Sequence, residues 1–188
     1  MFLLSNFNFH AGLLAAGLAG GLLTGPPPAH AQAAHPNHPK AAAPAAAKPA
    51  TLRVEGLVAT PRTFSAAELA ALPQREQTTT GKDGQWHVYR GVALAEVLRL
   101  AGAPAGKAVH GEVLSQAVVA MAADGYRAVF ALPEIDPDFA PQVILLANQR
   151  DGQPLSAHDG PYQLVVPLEK KPARWVRQLT GLRVVKVP

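Results

Sequence analysis

The 188-residue chain has no cysteine. Disulfides, thiolate-bound zinc, iron–sulfur clusters and a cysteine nucleophile are therefore excluded from its chemistry. Charge is also scarce, at 16% Asp, Glu, Lys and Arg, and the formal excess is only +4. Two of the basic residues, Lys40 and Lys48, fall in an Ala/Pro-rich stretch, so residues 51–188 carry 15 basic against 13 acidic side chains. An excess of two is too small for the basic face that a polyanion binder needs. No Gly-rich phosphate loop, Gly-x-Ser-x-Gly elbow or His-Glu-x-x-His helix occurs, which removes the usual support for nucleotide and hydrolase chemistry. What is present is 48% hydrophobic residues and 18 prolines, enough apolar material for one domain broken into short elements.

Organisation changes sharply along the chain. Residues 11–23 (AGLLAAGLAGGLL) form an apolar run too short to span a bilayer as a helix, followed by Pro26-Pro27-Pro28 and the small-x-small site Ala29-His30-Ala31. That order predicts a signal peptide over 1–31 and a periplasmic address, although residues 1–10 (MFLLSNFNFH) lack the usual basic side chains, and the alternative is an uncleaved apolar N-terminal anchor. Residues 32–50 (QAAHPNHPKAAAPAAAKPA) have no apolar periodicity and cannot bury enough surface to offset chain entropy, so a disordered linker is expected there. His35 and His38 on this stretch lack a third ligand and read as solvated side chains.

From Thr51 the pattern becomes one of short strands and short helices. Residues 52–58 alternate as a half-buried strand does, and Thr60-Pro61 turns the chain. Ser65 and Glu68 form a capping box ahead of Leu69 and Leu72, with Pro73 as the stop. Residues 76–80 and 85–89 read as strands around the loop 81–84, and Val92, Leu94, Val97, Leu98 and Ala101 as a helix closed by Gly102. Residues 116–132 are two apolar runs broken by Asp124-Gly125, a hairpin expected near the centre of a sheet. Strands over 142–147, 162–166 and 182–187 and a short helix from Pro172 to Gln178 complete the pattern. Without a strict βαβ alternation the sum is an α+β fold over residues 51–188.

Three clusters join aromatic and ionic groups: 86–91 (WHVYRG), 124–127 (DGYR) and 170–179 (KKPARWVRQL). Flat heteroaromatic ligands are held by aromatic faces, guanidinium groups and a carboxylate that accepts from ring N–H groups. Trp86, Arg90, Asp124, Tyr126, Arg127, Arg174 and Trp175 are thus the candidate binding residues. The alternatives are structural: a core Trp with a cation alongside, Asp124 opening a tight turn, and Tyr126 packing across strands.

In this order the motifs resemble the molybdopterin-binding domain of the sulfite oxidase family over essentially all of residues 51–188. The resemblance is carried by residues 52–61 (LRVEGLVATP), 64–69 (FSAAEL), 89–98 (YRGVALAEVL), 122–126 (AADGY), 144–155 (ILLANQRDGQPL), 160–167 (GPYQLVVP) and 174–179 (RWVRQL). It implies a pocket for a pterin cofactor, and it places Arg174 where family enzymes have a phosphate-contacting Lys. Those enzymes bind molybdenum through a cysteine in the segment after the first helix, whereas here that segment reads Glu76-Gln77-Thr78-Thr79-Thr80-Gly81. Thr hydroxyls are hard ligands and do not replace a soft thiolate. The resemblance therefore implies a small periplasmic protein holding a reduced, metal-free pterin. It would pass that occupancy to a membrane-bound cyclic-di-GMP signalling enzyme and have no catalytic residue or metal of its own. The alternative it leaves open is a molybdopterin-dependent oxidoreductase subunit with a non-cysteine metal environment.

Overall fold

The computed structural model describes residues 50–188. The expected signal peptide, and all but the last residue of the expected linker, lie outside the described residues. No helix among the described residues is long and apolar enough to cross a membrane.

Among the described residues ten strands form two sheets, one mixed and one wholly antiparallel, which confirms the α+β expectation. In the first sheet the strands are β1 (Thr51–Gly56), β2 (Arg62–Ser65), β5 (Gln116–Ala122), β6 (Arg127–Ala131) and β10 (Leu179–Lys186), in the order β2-β1-β10-β5-β6. The second contains β3 (Gln74–Thr80), β4 (Trp86–Ala93), β7 (Leu145–Arg150) and β8 (Gln153–Pro154), with β9 (Gln163–Val165) also paired to β7. Helices are short: α1 (Ala66–Ala71), α2 (Leu94–Leu100), α3 (Leu132–Ile135) and single 3-10 turns.

The last strand, not the hairpin, occupies the centre of the first sheet. β10 pairs parallel with β1 (Arg53 opposite Gly181) and antiparallel with β5 (Leu182 opposite Ala120). A parallel pair needs a long crossover, and here almost the whole domain is that connection. The hairpin β5–β6 forms as expected around Asp124-Gly125, but β6 is an edge strand. Double pairing also explains why β10 starts at Leu179, three residues before its alternating pattern becomes visible. One continuous hydrophobic cluster takes side chains from both sheets and from α2, including Leu52, Phe64, Val97, Phe130, Leu146 and Leu182.

Local signals account for the helices. Ser65 Oγ accepts from Glu68 N at 3.2 Å while Ser65 N donates to Glu68 Oε2 at 2.7 Å, the reciprocal box expected from the sequence. At the end of α2, Gly102 N donates to Arg99 O at 2.9 Å and Ala103 N to Leu98 O at 3.0 Å, with Gly102 at φ +76°. That is the left-handed glycine closure the sequence predicts, and a Cβ here would also lie 2.7 Å from Ala59 Cβ.

Several boundaries differ from the sequence reading, each for a tertiary reason. Val92 and Ala93, read as the start of a helix, extend β4 because they pair with Leu146 and Leu145 of β7. Arg62–Ser65, between the Thr60-Pro61 turn and the helix and given no strand by the sequence reading, becomes β2 by pairing with β1. The expected helix over 172–178 is one 3-10 turn, Pro172–Arg174, beyond which Val176 and Gln178 donate backbone hydrogen bonds outside helical register.

Candidate functional site

Two adjoining clefts, of about 540 Å³ and 550 Å³, share Lys82, Trp175 and Arg177 as walls. One is lined by Asp124, Tyr126 and Ala173. The other contains Tyr89, Arg150, His158, Asp159 and Gln163. The β3–β4 loop supplies Lys82, β4 supplies Tyr89, and β7 supplies Arg150 directly opposite Tyr89 in register. The loop before β9 supplies His158 and Asp159, β9 supplies Gln163, and the segment after Pro172–Arg174 supplies Trp175 and Arg177.

Trp175 is buried at 3% exposure, so it forms a wall and offers only part of its ring. Its Nε1 donates to Val166 O at 3.1 Å, and the ring meets Tyr89 edge to face with centroids 5.5 Å apart. Burial pushes the Tyr89 phenol up, so it stays a protonated donor at neutral pH. Asp159 lies 3.9 Å from Arg150 and 3.8 Å from Arg177, and Arg177 also donates to His158 Nε2. The cleft therefore combines a flat aromatic wall, a phenol, a buried carboxamide and three cations. This set can bind and orient a flat, partly anionic molecule.

The structure brings three of the seven sequence-derived candidates to these clefts: Asp124, Tyr126 and Trp175. Asp124 also serves its turn, accepting from Tyr126 N at 2.9 Å, and Tyr126 is fixed by donating its hydroxyl to Ala173 O at 2.7 Å. The other four lie outside the lining. Trp86 is 73% exposed at the start of β4, and Arg90 is exposed opposite Glu76. Arg127 is exposed on the edge strand β6. Arg174 is held by Glu134 (Nη1–Oε1 2.9 Å) and Glu169, donates to Val129 O, and covers the Phe130 ring at 4.6 Å. Glu134 first, and then Glu169, raise its pKa further. Its guanidinium staples α3 to β6 and leaves little to offer a ligand.

Sequence reasoning missed Lys82, Tyr89, Arg150, His158, Asp159, Gln163 and Arg177 as site residues. One signal was available: Gln163 interrupts the apolar run from Tyr162 to Val166. A polar residue inside a fully buried strand needs a reason.

Residues 40–188 match the family model described as the oxidoreductase molybdopterin binding domain. The chain belongs to this family. The crystal structure of the sulfane dehydrogenase SoxCD from Paracoccus pantotrophus is similar in fold, with a TM-score of 0.56 and 21% sequence identity. That match covers 71% of this chain and 37% of the SoxCD chain. Comparison with curated proteins returns no match. The molybdopterin-binding character of the domain is thus shown at the level of family and fold.

The donor set fits one part of the family's cofactor better than the other. A pterin ring finds Trp175, Tyr89 and Gln163, and an anionic side chain finds Lys82, Arg150 and Arg177. A molybdenum ion finds no thiolate in the chain and no group of three potential ligands among the described residues. In the segment where family enzymes carry the ligating cysteine, Thr79 is the buried residue of the three threonines, and its hydroxyl donates to Pro167 O at 3.4 Å. Thr78 and Thr80 point to solvent. This hydroxyl sits one carbonyl along from the Trp175 indole contact and braces the same turn.

The Lys82 loop has its own anchor. His87 places Nδ1 2.6 Å from Asp151 Oδ2 and Nε2 2.9 Å from Asp83 Oδ2, and Asp151 Oδ1 accepts from Val88 N. Only the imidazolium donates from both nitrogens. Asp83 first, then Asp151, raise the His87 pKa. Asp83 is lowered chiefly by Gln85 N–H and Asp151 by Val88 N–H, with His87 second in both. The histidine contribution is complete below its ordinary 6.5 and is lost as pH rises through the raised value. The aspartate contributions are complete above 3.8 and are lost as pH falls through the lowered values. The clamp is therefore strongest between these limits. Thermal unfolding of wild type and His87→Gln from pH 5 to 9 should give melting temperatures that converge as pH rises. Parallel profiles would show that the clamp does not titrate.

Proposed function

We propose that this protein is a non-enzymatic pterin-binding module, exported to the periplasm, that relays pterin occupancy to a membrane-bound signalling partner. One observation carries the reading. A molybdopterin-family cleft keeps an aromatic wall, a buried carboxamide and cationic arms, in a chain that has no cysteine to complete the family's metal site. Export rests on the 13-residue apolar run and the Ala29-His30-Ala31 site, and the signalling partner on the resemblance to stand-alone pterin-binding sensors. The second reading, a molybdopterin-dependent oxidoreductase subunit, is favoured by the family match itself.

The two readings separate on what the purified protein contains. The full chain is expressed in a bacterium that synthesises molybdenum cofactor and purified from the periplasmic fraction. It is then denatured, and released molecules are identified by fluorescence and mass spectrometry alongside molybdenum analysis. Pterin without stoichiometric metal supports the sensor. Pterin with about one molybdenum per chain overturns it in favour of the oxidoreductase subunit, and recovery only from the cytoplasm overturns the export proposal.

A further inference from the structure

Gln163 opens β9, a strand whose three residues are all buried, with Leu164 and Val165 fully so. The side chain is 4% exposed and lines the cleft beside Tyr89 and Trp175. A carboxamide withdrawn from water costs free energy unless its oxygen and its N–H groups are paired. Across the ladder the register gives it Ala147, which has no polar side chain, and its carboxamide forms no hydrogen bond with a described residue. Nor are its amide atoms among the inaccessible, unpartnered side-chain oxygens, which are those of Gln116, Gln142 and Asn148. Its polar end is turned to the cleft. Packing alone would be served better here by Leu or Met, which match its volume with nothing to leave unpaired.

The chemistry of that end narrows what it meets. The cations of the cleft, Lys82, Arg150 and Arg177, are only donors, and Asp159 is an acceptor already placed between two of them. A simple oxyanion would satisfy the cations and leave Gln163 Oε1 unpaired. A group presenting one donor beside one acceptor satisfies both ends of the carboxamide at once, and in a flat ring such an edge is a cyclic amide or an amino group beside a ring nitrogen. We infer that Gln163 is the specificity residue of the cleft, pairing with the N–H and C=O of the lactam edge of a heteroaromatic ligand held against Trp175. This deepens the pterin reading and rests on it, because the pterin ring carries that edge at N3 and C4. It also sets the orientation, with the lactam at Gln163 and the ring's substituent toward Lys82, Arg150 and Arg177.

The test uses the full-length protein, exhaustively dialysed, with 6,7-dimethyltetrahydropterin and its 3-methyl analogue as probes in anaerobic calorimetry. Wild type should bind the parent compound and lose about tenfold or more on N3 methylation, since a site built for a hydrogen bond rejects an analogue lacking it. Gln163→Leu should bind the parent about tenfold more weakly and no longer distinguish the two. Its unfolding midpoint should equal or exceed that of wild type, because the side chain it replaces has no partner in the protein. Gln163→Met repeats each measurement with an unbranched side chain. Wild-type discrimination retained in both variants overturns the inference while leaving the pterin reading intact. So does marked destabilisation of both, which would give the amide a structural role. A wild-type protein that binds neither probe overturns the reading and the inference together.

Discussion

Gly91→Ala should unfold the domain or cost it more than about 4 kcal/mol, at the far end of single-substitution effects. Gly91 lies in β4 opposite Ala147 of β7, just past a register shift at Arg90 that brings the two backbones together. A Cβ at this position would lie 2.0 Å from Leu146 O and 2.7 Å from Ala147 Cα. Both are backbone atoms of a strand whose Leu145, Leu146 and Ala147 are buried at 2% exposure or less, so neither can swing aside as a flexible side chain would. Relief requires the two central strands of the second sheet to part. The same movement would displace Tyr89, two residues earlier on β4, from Arg150 on β7, so surviving protein should bind ligand poorly. Chemical denaturation followed by circular dichroism reads the result. A variant within about 1 kcal/mol of wild type would mean that the sheet tolerates the separation and that the close approach is not a constraint.

The elements legible in the sequence are those whose cause is local. The Ser65–Glu68 box, the Gly102 closure and the Asp124-Gly125 hairpin are each specified within a few residues, and each forms as read. Boundaries were hidden wherever pairing decides them. Val92 and Ala93 suit a helix by spacing and a strand by type, and only β7 resolves the choice. Thr79 illustrates the same limit, because the facing of the three threonines depends on a strand register that the sequence leaves open.

The candidate site was legible in kind and less so in membership. Aromatic and ionic clusters pointed to a flat ligand, and the family follows from motif order. Which guanidinium faces the cleft depends on partners far away in sequence. Arg174 is taken by Glu134, 40 residues earlier, while Arg177, three residues on, reaches the cleft between His158 and Asp159. Six strands, loops or segments converge on the second cleft, and no local window contains more than a part of it.

The two tryptophans should respond in opposite ways to truncation, although each lies in a cluster of similar composition. Trp175→Ala removes a side chain that is 97% buried among both sheets, deletes the edge-to-face contact with Tyr89, and strips one donor from Val166 O. Large-to-small replacement of a buried aromatic typically costs about 3–5 kcal/mol, and this one should fall in that range. Trp86→Ala removes a ring that is 73% exposed on β4 and should change stability by no more than about 0.5 kcal/mol. Equal effects in urea denaturation would refute this placement of the two rings. The difference also decides how ligand binding is to be read. Lost binding in Trp175→Ala has two sufficient causes, a missing wall and a loosened core, so it does not by itself identify a contact. Arg177→Gln is the cleaner probe of the rim, because it keeps the side chain's polarity and much of its length while removing the charge. If the cleft holds an anionic arm, this variant should weaken binding while leaving the unfolding midpoint nearly unchanged.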